Sequence, residues 1–65
     1  MSDTIKQQAR NHRVMFMQQH SHLSEEVQDL YILFLDNIEE GESPQNELNL
    51  FINACNQLLE DERNN

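Results

Sequence analysis

The residues with the most chemistry in reach are three histidines, His12, His20 and His22, and a single cysteine, Cys55. Together they could supply four zinc ligands. Their spacing argues otherwise. His20-x-His22 and an isolated His12 match neither flank of a Cys/His zinc pattern. Cys55 falls on an apolar helical face, where a cysteine usually packs. No metal and no cofactor is expected. Nucleophilic catalysis would need Cys55 or a serine beside a histidine and an orienting acid. It would also need a cleft that excludes water, which small helical chains rarely form. The carboxylates fall at solvent-facing helical positions, with nothing to prepare them for acid–base work. The chain is therefore expected to be non-enzymatic. Three histidines within eleven residues could form a pH switch, but an exposed loop with ordinary histidines is the simpler reading.

Charge is the next source of chemistry. The net charge is −8, and it is unevenly spread. Residues 1–22 carry Lys6, Arg10 and Arg13 against Asp3. Residues 23–65 carry eleven acids against Arg63. A small basic arm is thus joined to an acidic body, and such a body prefers basic surfaces. Solubility alone also explains acidic surfaces.

These side chains must be positioned by helices. The one Gly and one Pro, Gly41 and Pro44, lie close together, and the rest of the chain is rich in helix formers. With 65 residues there is room for one small domain, residues 1–65. No apolar run approaches the roughly 18 residues of a membrane span. MSDTIKQQAR lacks the apolar segment of a secretory signal, and one cysteine closes no intrachain disulfide. A cytoplasmic location is expected.

The expected fold is all-α: an antiparallel helical hairpin with an additional N-terminal helix. The first helix spans about residues 3–19. Its apolar face holds Ile5, Ala9, His12, Met15 and Phe16, diluted by Gln8 and Gln19. Ser24, followed by Glu25 and Glu26, reads as the N-cap of the second helix, with Leu23 as a hydrophobic staple. That helix, about 25–40, places Val27, Leu30, Tyr31, Phe34 and Ile38 on one face with Leu23, widened by Leu33 and Leu35. Its apolar arc is about 200°, more than one neighbouring helix covers. Gly41 is the C-cap residue, and Ser43-Pro44 restarts the chain as N-cap and N1. The short connection makes the second and third helices antiparallel neighbours. The third helix, about 44–61, packs Leu48, Phe51, Ile52, Cys55, Leu58 and Leu59, with Leu50 and Ala54 off that seam. Asn46, Asn49, Asn53 and Asn56 flank it and read as solvent residues. The tail, 62–65, is expected to fray, because Glu60, Asp61 and Glu62 oppose the helix dipole.

A core of this size rarely supplies more than about 3–5 kcal/mol. Neither a disulfide nor a Trp supports it. A homodimer pairing two hairpins into a four-helix bundle would resolve both this and the over-wide second helix. The alternative is that the first helix folds over to complete a three-helix unit.

Two charged faces then compete for function. On the second helix Glu25, Asp29, Asp36 and Glu40 lie within about 60°, and its four-residue steps are about 6 Å along the axis. This resembles the phosphate spacing along a nucleic-acid strand and fits a basic groove. Ile32 sits within the row as an apolar anchor, and Glu39, Glu42 and Glu47 extend it around the turn. The leading expectation is a regulatory interaction protein that binds a basic partner, such as a nucleic-acid-binding protein, as a nucleic-acid mimic would. On the first helix Lys6, Arg10 and Arg13 form a basic stripe, continued by Met17. Two such stripes in a dimer could straddle RNA, reading shape and phosphates. In size and layout the chain resembles the Rop family of plasmid copy-control proteins, short acidic hairpins that dimerise and bind RNA with their first helices. No Rop motif is matched residue by residue, and the apolar spacing differs. A third expectation is half of a heteromeric bundle, as in secretion co-chaperones and antitoxins. Small acidic chains without catalytic apparatus are also common among phage and plasmid accessory proteins.

Overall fold

The computed structural model describes residues 2–64 and is all-α, with no strand among the described residues. Helix α1 spans Ser2–Gln19, α2 spans Ser24–Glu39 and α3 spans Pro44–Arg63. All three pairs of helices are in contact, so α1 packs against both α2 and α3. The start of α2 lies beside the end of α3, and its end lies beside the start of α3. Two side-chain contacts mark this: His22 with Glu62 at 2.9 Å, and Asn37 with Glu47 at 2.8 Å.

The core is one cluster drawn from every helix. Ala9 and Phe16 come from α1, Val27 and Phe34 from α2, and Leu48, Phe51 and Cys55 from α3. Leu30, Tyr31, Ile38, Ile52, Leu58 and Leu59 are half-buried against it. Ala9 is fully buried; its small side chain allows α1 to approach its neighbours closely. Phe51 is the aromatic hub, with ring centroids 5.8 Å from His12, 5.9 Å from Phe34 and 6.0 Å from Tyr31. Edge and tilted arrangements at these distances contribute about 0.5–1.5 kcal/mol beyond area burial. Much of the apolar arc of α2 is met by α1 and α3 within one chain, but Leu33 at its edge stays 55% exposed.

The connections follow from local chemistry. After α2, Gly41 takes φ +106°, which side chains with a Cβ rarely adopt. Gly41 N–H donates to the Ile38 carbonyl and Glu42 N–H to the Asn37 carbonyl, each at 3.0 Å. This pair of bonds is a Schellman cap. Ser43 caps α3 by accepting the Asn46 N–H at a long 3.5 Å, and Pro44 follows at the first helical position.

Several details differ from the sequence expectation. Ser24 is the first residue of α2, not its cap. Residues Ser21–Leu23 form a single 3-10 turn, and the Ser24 hydroxyl donates back to the Ser21 carbonyl at 2.7 Å. The chain therefore passes from α1 to α2 with one break, at His20 (φ −135°, ψ 63°). Met15 is 54% exposed rather than core. It lies about 100° around the helix from Phe16, which leaves it outside the stripe that Ala9 and Phe16 define. Helix α3 runs two residues past its expected end, to Arg63. Glu62 there pairs with His22, and Asn65 lies outside the described residues.

Candidate interaction surface

The acidic row on α2 is exposed along its whole length. Glu25, Asp29, Ile32, Asp36, Glu39 and Glu40 all face solvent, and Ile32 is 47% exposed. Among the described residues none of these carboxylates takes part in a side-chain hydrogen bond or ion pair. The 100° step of the helix aligns them, and the buried face opposite, Val27 and Phe34, holds the row outward.

Glu47 departs from this pattern. It does not extend the row around the turn; it is buried, and its carboxylate accepts the Asn37 side-chain N–H at 2.8 Å. It sits in the first turn of α3, where the helix dipole favours a negative charge.

The basic stripe on α1 does not stay together. Lys6 and Arg10 are exposed. Arg13 folds onto α2 instead: it donates to the Gln28 side-chain oxygen at 2.7 Å, and its guanidinium carbon lies 4.6 Å from the Tyr31 ring centroid. Its Nε is buried without a partner. Met17, next in the stripe, packs against the core. A cation held over an aromatic face contributes about 0.5–2 kcal/mol there and is withdrawn from other ligands.

The four residues with metal or nucleophile chemistry occupy separate environments. Cys55 is buried, and burial pushes its thiol up to about 11, so at neutral pH it offers no thiolate. His12 lies between Phe16 and Phe51 with its Nε2 buried and unpartnered; desolvation lowers its pKa. His20 rests on Phe16 at 4.8 Å. His22 Nε2 lies 2.9 Å from both carboxylate oxygens of Glu62. Among the described residues no three His, Cys, Asp or Glu side chains are grouped to hold a metal ion. No described helix is long and apolar enough to cross a membrane.

The structure adds a feature that the sequence reading passes over. Between α2 and α3 runs an open trough floored by Leu30, Phe34, Phe51 and Ala54, with Leu33 and Leu50 at its lips. Leu33 and Leu50 are 55% and 53% exposed. A signal was present: Leu33 widened the apolar arc of α2, while Leu50 and Ala54 lay off the α3 seam. Joining them required knowing which sides of the two helices meet. No protein-family profile, curated protein or solved structure matches the chain.

Proposed function

We propose that this protein is a non-enzymatic regulatory binder whose α2 face occupies a basic surface on a partner protein of the nucleic-acid-binding kind. The observation that carries this reading is the contrast between the two charged faces. The acids of α2 are exposed and unpaired, whereas Arg13 of the competing basic stripe is engaged inside the fold. Stability accounts for only one end of the acidic row, where Glu25 in the first turn suits the helix dipole. Like charges four residues apart, as in Glu25/Asp29 and Asp36/Glu40, destabilise a helix by a few tenths of a kcal/mol. Glu39 and Glu40 also lie at the helix end that disfavours negative charge. A long-range negative potential instead speeds encounter with a basic surface and selects against acidic ones. In this reading α2 and α3 act as an antiparallel hairpin buttressed by α1.

The test uses a lysine- and arginine-rich peptide as the probe. Its affinity is expected to fall as salt rises from about 0.05 to 0.3 M. It is expected to fall at least about fivefold when Asp29 and Asp36 are both changed to Asn. Changing Lys6 and Arg10 to Ala should leave it intact. Full affinity in the double Asn variant would exclude the row as the site. Salt-sensitive RNA binding that vanishes with the Lys6 and Arg10 changes would assign function to α1 instead.

A further inference from the structure

The trough between α2 and α3 stands directly beside the acidic row, and Asp29 belongs to both. It consists of two adjoining hollows that share Leu30, Leu33 and Ala54, and together they run along α2 from Glu26 to Asn37 and along α3 from Glu47 to Leu58. Each span is about 16 Å at 1.5 Å per residue, or about three helical turns. The floor is apolar, and the polar groups sit at the ends. Glu26, Asp29 and Gln57 stand at one end, and Asn37 and the buried Glu47 at the other. Among the described residues no Lys or Arg lines it. Leu33 and Leu50, each more than half exposed, project at its lips, whereas Leu48 of α3 is buried and Leu30 of α2 is half-buried against the core.

We infer that this trough seats a cationic amphipathic helix of the partner. An apolar stripe at i, i+3/i+4 and i+7 would lie between Leu33 and Leu50, with Lys or Arg on its flanks meeting Glu26, Asp29 and the acidic row. The inference deepens the proposed function and rests on it: the row supplies attraction, and the trough supplies register and selectivity. Charge decides the occupant. A second copy docking through the same trough would bring Glu26 and Asp29 toward acids of their own kind, between molecules that each carry −8. A basic helix places opposite charge at every acidic position while its apolar stripe covers the leucines. This is the helix-in-groove mode of recognition, with anchors read at helical spacing.

The test compares two synthetic peptides of identical composition, about 15 residues long, built from Leu, Lys and Ala. One places Leu at i, i+3, i+4 and i+7; the other is scrambled so that no apolar face forms. The amphipathic peptide is expected to bind the full chain at least about tenfold more tightly. Leu33→Gln or Leu50→Gln should remove that advantage and leave the scrambled peptide's affinity unchanged. Both positions are largely exposed, so these variants should fold, which circular dichroism checks. If the two peptides bind equally, or the Gln variants keep the preference, the trough is not the seat, although salt-sensitive binding to the row still stands. If neither peptide binds, the acidic-face reading fails with it. If sedimentation shows a dimer that Leu33→Gln dissolves, the occupant is a second copy and the inference is overturned.

Discussion

His12 shows how burial at one residue sets a property of the whole chain. Its Nε2 is enclosed without a partner between Phe16 and Phe51, and desolvation disfavours its charged form. Above the ordinary histidine value of 6.5, folded and unfolded chains both hold it neutral, and it adds no pH dependence. As pH falls through that value, the unfolded chain gains a proton that the folded chain resists, so stability falls. The loss stops growing only below the lowered folded pKa. Urea midpoints at pH about 8 and about 5.5 should therefore separate less in His12→Leu than in the wild type. His20→Gln and His22→Gln serve as controls for the other two imidazoles and should retain the His12 contribution. An equal separation in wild type and His12→Leu would mean that water reaches Nε2.

At the scale of elements, the turn between α2 and α3 holds the most specific local structure. Two backbone bonds cap α2, and both require the chain to pass through Gly41 at φ +106°. Nothing lies within 4 Å of the place a Cβ would occupy, so the cost of Gly41→Ala is conformational and not steric crowding by neighbours. That cost is about 1–2 kcal/mol, seen as a lower urea midpoint with an unchanged slope. An unchanged midpoint would show that the cap can re-form with another backbone geometry. The start of α2 and the end of α3 are joined differently, by the exposed His22–Glu62 pair, whose contribution is about 0–1 kcal/mol. The turn and its cap were legible because Gly and Pro carry strong local signals. The 3-10 turn at Ser21–Leu23 was not, because Ser24 fits an N-cap and a first helical residue about equally well until its hydroxyl finds the Ser21 carbonyl.

For the whole molecule, the decisive feature is a single core shared by three helices. Among the described residues Phe51 alone touches rings from both α1 and α2. Phe→Ala in a core costs about 3–5 kcal/mol, which is the whole stability expected of a chain this size. Phe51→Ala should therefore lose most of its helical circular dichroism at room temperature, with α1 melting together with the other helices. Retained helicity would point to stabilisation from outside the chain, such as a second copy. The shape, 37 × 19 × 15 Å, is that of three rods side by side, which leaves the α2–α3 trough as a long open edge.

The sequence by itself determined the helices, their approximate limits, the turn and the exposed acidic row. Each of these depends on spacing at 100° per residue or on the backbone preferences of Gly, Pro and Ser, which act within a few residues. Tertiary structure alone decided how the charged and apolar faces were used. Arg13 left its stripe because Tyr31 and Gln28 lie within reach across the α1–α2 contact. Glu47 left the acidic surface because Asn37 meets it at the start of α3. Leu33, Leu50 and Ala54 became one trough because α2 and α3 present those sides to each other. Such pairings join residues far apart in the chain, and no local periodicity encodes which face meets which.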